Sequence, residues 1–327
     1  MNQQDIQHAH DIIKKQQSIN FELDHQEYGL NPKFVNSIDV HFNPSGYGIL
    51  EHYSVVKEIY NVNLSPTLIQ LTTHKETNIK VIKKSIRKEK LITATQLTYA
   101  RNECIIHSQL KHENIVELYD YTENEKEIVL LMEYCNDATY FEEKIENSLT
   151  PIMNQEKLQA YANDILQGVY YGHTMGVIHS DLKLQNALLQ RPEGEEAEAG
   201  ELPIVKVCDY GLSHIMSAQY NGKALMLEKC GTSGYIAPEI GQKNSIVGPE
   251  IDMWSFGVML YEMCTAYKPT KLLNYRYGSG PIPYRERDWR KHNKHIQDLI
   301  NLCLVMDPNK RISSLDALQH PWFNDEL

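Results

Sequence analysis

The sequence predicts an α+β protein in two unequal parts, a small strand-rich lobe followed by a larger, mostly helical one. Three observations carry this. Residues 53–134 break into short apolar segments with strand-like alternation, whereas from residue 155 onward apolar residues recur at helical spacing. The chain has 327 residues, too many for one small core and suited to two. Hydrophobic residues make up 42% of it, enough to fill both.

The elements follow in order. Residues 1–52 form a polar extension; 4–17 can make one amphipathic helix, and "NPKF" and "FNPSGYG" read as turns. In the small lobe, 53–134, strands are expected at 53–60, 67–73 and 78–84, then a helix over roughly 89–110, then strands at 115–122 and 127–134. In the large lobe, 135–323, helices are expected at 156–176 and 251–267. The segment 191–202 carries five glutamates between 193 and 201 and reads as a solvated, mobile loop inserted in the large lobe. No internal repeat is visible.

Composition excludes several classes. The 32 basic and 43 acidic residues leave a net charge of -11, which argues against a nucleic-acid partner. The six cysteines are scattered without a C-x-x-C pair, as expected of reduced thiols in a reducing compartment. The N-terminus is too polar for a signal peptide, and no apolar run approaches the roughly 20 residues of a membrane span. The expectation is a cytoplasmic protein without a membrane span; attachment to the cytoskeleton or another large complex is compatible with it.

The chemistry concentrates in "VIHSDLKLQNALL", residues 177–189. Phosphoryl transfer from a nucleotide needs a carboxylate facing the attacking hydroxyl, cations on the phosphates, oxygen ligands for Mg2+, and a cover that excludes water. Asp181 can orient the hydroxyl, Lys183 can neutralise charge on the moving group, and Asn186 can bind a metal. A second metal ligand, Asp209, follows in "VKVCDYGLS", in a tight turn with Gly211.

These residues resemble the eukaryotic protein kinase family, serine/threonine type. Its H-R-D-x-K-x-x-N, D-F-G and A-P-E motifs stand here, in order, as His179-Ser180-Asp181 with Lys183 and Asn186, Asp209-Tyr210-Gly211, and Ala237-Pro238-Glu239. "DMWSFG" at 252–257 is similar to the helix that anchors the catalytic loop, through Asp252, and Arg311 resembles the arginine that pairs with Glu239. "DLINLCLVMDPNKR" and "LQHPWF" are most similar to the calcium/calmodulin-type branch. The resemblance spans about 53–323. It implies a bilobal protein-kinase-like fold, ATP and Mg2+ as cofactors, and a protein hydroxyl as substrate. It also implies that Thr232 bonds Asp181 and Lys183, that Glu133-Tyr134-Cys135 form a hinge, and that Met132 backs the adenine pocket. A strand lysine should grip the phosphates and pair with Glu103; Lys80 fits the strand pattern best, with Lys83 as rival. The rest of "KVIKKSIRKEK", 80–90, reads as a solvated basic edge. The histidines of "HAH" (8–10) and "HNKH" (292–295) read as surface residues, and "YYGH" (170–173) as core.

Two departures stand out. The strand–turn–strand that should cover the phosphates, 58–71, has Tyr60, Val62 and Ser65 where glycines are expected, and Pro66 removes a donor. Its grip on a triphosphate should be poorer. The second is Ser180, where kinases switched on by phosphorylation have an arginine that receives a phosphate on the activation segment. The usual phosphate site falls on Glu228, and the other hydroxyls, Ser213, Ser217 and Tyr220, lie far from it. Together these predict a segment that does not wait for a phosphate. Two readings follow: an active serine/threonine kinase, motivated by the retained polar set, or a pseudokinase acting as a scaffold or allosteric subunit of a larger assembly, motivated by the glycine-free cover.

Overall fold

The computed structural model describes residues 50–137, 154–191, 202–241, 245–269 and 281–324. The 4–17 helix, the first "HAH" histidines and nearly all of the glutamate-rich insert lie outside the described residues. The chain divides into two compact units. Among the described residues, the first comprises 50–111 and 116–134, and the second 112–115 together with everything from 135 onward.

The first unit is built on a five-stranded sheet. Its strands are β1 (Tyr53–Asn61), β2 (Thr67–His74), β3 (Lys80–Arg87), β4 (Leu118–Glu123) and β5 (Glu127–Glu133), in the spatial order β1-β2-β3-β5-β4, every pair antiparallel. Strand β3 runs three residues beyond its expected end because it pairs with β5 without interruption from Val81↔Glu133 to Arg87↔Glu127. Edge strand β1 is different: it is almost wholly exposed and carries two irregularities, between Val55 and Lys57 and between Glu58 and Tyr60. One helix, α1 (Ala94–Gln109), packs on β4 and β5 and buries Leu97, Ala100 and Cys104 at helical spacing. It starts at Ala94, not near 89, because Thr93 closes a capping box with Gln96. Lys88–Lys90 makes a single 3₁₀ turn instead.

The second unit contains α2 (Gln155–Thr174), β6 (Val177–Ile178), β7 (Ala187–Gln190), β8 (Ile204–Val207), β9 (His214–Ile215), β10 (Ala224–Met226) and β11 (Ser245–Val247). These are followed by α3 (Glu250–Thr265), α4 (Glu286–Trp289), α5 (Lys294–Cys303), α6 (Ser314–Leu318) and α7 (Pro321–Asn324). Helix α3 is buried on all sides from Ile251 to Thr265, as its nearly continuous apolar sequence requires. Gly257 lets α5 come close: a Cβ there would stand 2.6 Å from the Cys303 Cβ. The short strands pair in twos, β6 with β9, β7 with β8, and β10 with β11. At two to four residues they are too short to show alternation in sequence, yet they carry the segments between which the chemistry lies. Among the described residues no helix is long and apolar enough to cross a membrane.

Candidate active site

The loop after β6 is held from below by one carboxylate. Asp252, in the first turn of α3, accepts the His179 N–H at 2.7 Å on Oδ2 and the Ser180 N–H at 2.8 Å on Oδ1. His173 of α2 adds a third contact, Nε2 to Oδ2 at 3.0 Å, and its other nitrogen meets the Ser314 hydroxyl at 2.9 Å. Burial alone would raise the Asp252 carboxyl; the donors from His173 and His179 outweigh it and hold it below the usual carboxylate value. The anchor explains why Ser180 keeps a left-handed φ of 68°, unusual for a residue other than glycine. The His179 ring donates from Nε2 to the Cys208 carbonyl at 3.0 Å and accepts the Asp181 N–H on Nδ1 at 3.3 Å. One imidazole thus links the loop after β6 to the residue before Asp209.

Above this base, Asp181, Lys183 and Thr232 close a triangle. Lys183 Nζ donates to Asp181 Oδ2 at 2.5 Å and to Thr232 Oγ1 at 2.9 Å, and the Thr232 hydroxyl donates to Asp181 Oδ1 at 2.7 Å. The segment bearing Thr232 reaches the loop through Gly231, whose φ of 107° side chains rarely adopt. A Cβ there would also stand 3.3 Å from the Ser180 carbonyl oxygen. The arrangement offers a buried carboxylate flanked by one cation, suited to orienting a hydroxyl and balancing charge that develops on it.

Asn186 and Asp209 are brought into one neighbourhood by the β7–β8 pair, in which Ala187 faces Val207, and by the Cys208 N–H donated to the Asn186 carbonyl at 2.9 Å. The Asn186 amide nitrogen donates to the Asp181 carbonyl at 2.9 Å, so the amide presents its oxygen elsewhere. Asp209 has φ 67°, a second left-handed residue in the site. An amide oxygen and a carboxylate are the hard donors a Mg2+ ion takes when substrate phosphates complete its shell. Among the described residues no group of three or more His, Cys, Asp or Glu side chains could hold a metal by itself.

In the first unit one expectation is corrected. Glu103 of α1 is met by Lys84, at 2.6 Å, and not by Lys80 or Lys83. The pair is buried, with side-chain exposures of 10% and 2%. Lys80 shares the strand face of Lys84 but opens β3, is exposed, and lies over the Tyr134 ring at 5.8 Å. Four residues further on, about 13 Å along a strand, Lys84 stands opposite Ile69 and Leu130 in mid-sheet. Lys83 points to the other face by alternation. The V-x-x-K spacing of Val81 and Lys84 was the available signal. The solvated-edge reading of the following residues is corrected as well. Arg87 donates to the Ser65 and Pro66 carbonyls, Lys88 pairs with Glu123, and Lys90 reaches the Asn63 carbonyl.

At the expected hinge, Met132 is buried and faces Ile82 of β3. The Glu133 backbone N–H donates to the Glu117 carbonyl at 2.9 Å, and its carboxylate accepts the Glu117 N–H at 3.1 Å. Cys135, also buried, belongs to the second unit.

The cover hairpin forms as β1, a turn at 62–66, and β2, with Tyr60 42%, Val62 49% and Leu64 93% exposed. At the other departure, the Ser180 hydroxyl lies 2.9 Å from His214 Nδ1, and both residues are buried. Burial pushes the His214 imidazole down to about 4, so it is neutral near pH 7. Strand pairing of Ile178 with His214 sets this contact, and Ser213 Oγ donates to the His179 carbonyl at 3.0 Å beside it. Glu228 makes no ion pair with any described residue. Further out, Arg311 grips Glu239 through two bonds of 2.6 and 2.9 Å and stacks 5.2 Å over the Trp254 ring. Sequence reasoning missed His173 and His214 as positioning groups, and His292, which hydrogen-bonds the Cys264 carbonyl at 3.1 Å and is not a free surface residue.

The protein kinase domain family matches residues 67–323. Among curated proteins, calcium/calmodulin-dependent protein kinase type IV of Mus musculus is 31% identical over 264 residues, 77% of this chain and 50% of that protein. Calcium-dependent protein kinase 9 of Arabidopsis thaliana is 29% identical over 303 residues, 91% of this chain and 53% of its own. NUAK family SNF1-like kinase 1 of Homo sapiens is 27% identical over 285 residues, 85% and 40% respectively. The chain thus spans about half, or less, of the length of these relatives. By its family match, its relatives and its two-part fold, the chain belongs to the protein kinase family, serine/threonine type.

Proposed function

We propose that this chain transfers the γ-phosphoryl group of ATP to a serine or threonine hydroxyl of a protein, with an activation segment that is set without phosphorylation. The observation that carries the reading is the closed triangle of Asp181, Lys183 and Thr232, with both carboxylate oxygens of Asp181 engaged and the side chain buried. Asp181 orients the attacking hydroxyl and accepts its proton; Lys183 stays beside it and offsets the charge of the phosphoryl group in flight. Asn186 and Asp209 are the residues that would hold Mg2+, which neutralises phosphate charge when bound. Lys84, fixed by Glu103, supplies the phosphate-gripping cation of the first unit.

Phosphate independence is supported by Ser180 and His214. An arginine at 180 would offer a cation to a phosphate; here a buried neutral serine–histidine contact occupies that place, 2.9 Å across. The six cysteines are all free thiols, which supports a reducing, cytoplasmic location. A second reading, a pseudokinase serving as a scaffold or allosteric subunit, is favoured by the glycine-free cover.

Thermal shift with ATP and Mg2+, followed by transfer of labelled phosphate to a generic protein substrate, separates the two. Wild type should show both. Asp181→Asn should keep the nucleotide-dependent shift and lose transfer, because Asp181 faces the hydroxyl and not the nucleotide. Transfer at the wild-type rate by Asp181→Asn would remove Asp181 from the reaction; a wild type that binds nucleotide and never transfers favours the scaffold.

A further inference from the structure

The turn at 62–66 poses a physical problem. It joins an edge strand that is almost wholly exposed to β2, and Leu64 at its tip is 93% exposed, so packing does not hold it. Its carbonyls are nonetheless taken up. Val62 O accepts the Ser65 N–H at 2.9 Å, Asn63 O accepts Lys90 Nζ at 2.5 Å, and Ser65 O accepts Arg87 Nη2 at 2.9 Å. Pro66 O accepts the Arg87 N–H at 2.9 Å and lies 3.5 Å from its Nε, and the Ser65 hydroxyl accepts the Thr67 N–H at 3.1 Å. The proline and the lack of glycine already narrow the conformations open to this turn.

The same basic run is anchored at its other side. Lys88 Nζ pairs with Glu123 Oε1 at 2.6 Å and donates to the Asn124 carbonyl at 2.5 Å. Glu123 also receives Arg101 of α1 through both oxygens, Nη2 to Oε1 at 2.6 Å and Nε to Oε2 at 2.9 Å. Burial pushes the Glu123 carboxyl up, but Arg101 and Lys88 outweigh it and leave it below its ordinary value. Two residues along α1 stands Glu103, paired with Lys84. Cations of β3, of the 88–90 turn and of α1 thus engage acceptors in the hairpin turn, in β4 and in α1 itself.

We propose that Arg87 and Lys90 are positioning residues that brace the glycine-free cover in its binding position, so that it acts as a preformed lid over the nucleotide phosphates and not as a flexible flap. A glycine-rich cover brings backbone donors near the phosphates but must be ordered on binding; a braced turn has fewer donors and is ordered beforehand, so binding costs less conformational entropy. The inference rests on ATP as the bound nucleotide.

The test uses the full chain with Arg87→Met/Lys90→Met, Lys90→Met alone and Lys90→Arg. Amide hydrogen exchange without nucleotide reads the brace directly: residues 60–67 should exchange about tenfold faster in the double variant, while β3 and α1 stay protected. Calorimetry reads its use: ATP affinity should fall about tenfold while adenosine, which has no phosphates, binds as before. Lys90→Arg should behave as wild type in both. If the double variant fails to fold, Lys90→Met, which loses only the Asn63 contact, should show the same pattern at a smaller amplitude. Unchanged exchange overturns the brace. Faster exchange with unchanged ATP affinity, or equal weakening for ATP and adenosine, overturns the positioning role. A wild type that binds no ATP refutes the proposed function, and the exchange result still decides whether the turn is braced.

Discussion

Replacing Ser180 by alanine removes the hydroxyl that meets His214 Nδ1 at 2.9 Å. The two residues are 6% and 7% exposed, so water does not take the vacated place. A buried polar atom deprived of its partner costs about 1–3 kcal/mol. In a domain of this size each kcal/mol lowers the melting temperature by roughly 2–4 °C, so Ser180→Ala should melt about 5 °C early. His214→Leu should cost more, because the ring also bonds to the Leu212 backbone. The decisive variant is Ser180→Ala/His214→Leu. If the contact is formed, the double variant should be more stable than the sum of the singles by about 1 kcal/mol, since neither partner is left unpaired. Denaturant unfolding with an unchanged slope measures this. Losses that add to within about 0.3 kcal/mol would show that serine and histidine do not interact. The functional arm uses chain made in bacteria, treated with phosphatase and shown bare by mass spectrometry. Bare wild type should match untreated protein in transfer rate, and Glu228→Ala should change little, because Glu228 pairs with no described residue. A bare wild type that is silent, and wakes only when an upstream kinase modifies residues 213–220, would refute phosphate-independent activation.

Three further outcomes follow from the same contacts. Lys84→Met should abolish transfer and, by removing the cation that meets the buried Glu103 carboxylate at 2.6 Å, cost about 3–5 kcal/mol of stability, whereas Lys80→Met should leave rate and melting near wild type; equal losses would reverse the assignment. Arg311→Ala should cost a similar 3–5 kcal/mol, because its fully buried guanidinium holds Glu239 through two bonds, and a melting curve that does not move would deny the pair a structural role. Acid should destabilise the second unit through His214: its folded value near 4 lies below the ordinary 6.5, so the unfolded chain binds more protons between them, and stability should fall as pH drops across that window by about 3 kcal/mol. The lowered Asp252 carboxyl acts in the same sense, its contribution present above the ordinary carboxylate value and lost as pH falls through its folded one. Urea midpoints measured from pH 7 to 4 check this, with His214→Leu flattening the upper part of the curve.

The sequence alone determined the succession of elements in the first unit, the two long helices of the second, and the polar residues grouped after β6. Strand and helix periods are local, and the D-x-K-x-x-N, D-Y-G and A-P-E spacings are written within a few residues each, so both were legible without any knowledge of neighbours. The Arg311–Glu239 pair was legible only through family resemblance, since 72 residues separate its members. What the tertiary structure decided were choices between chemically equal candidates. Lys80 and Lys84 share one face of β3, and their alternation is the same. In sequence only the V-x-x-K spacing from Val81 favours Lys84; in the fold, depth along the strand separates the two, and that depth comes from the register with β5 and from where α1 sets Glu103, 19 residues from Lys84. The same holds for the basic run at 87–90, which looks solvated until Asn63 and Ser65 of the hairpin turn and Glu123 of β4 arrive to receive it. Ser180 announced a missing arginine, but what replaces it, a neutral histidine 34 residues on, depends on two-residue strands that local periodicity cannot reveal. Hydrogen bonds and ion pairs between distant segments are fixed by register and burial, and neither quantity exists until the chain has folded.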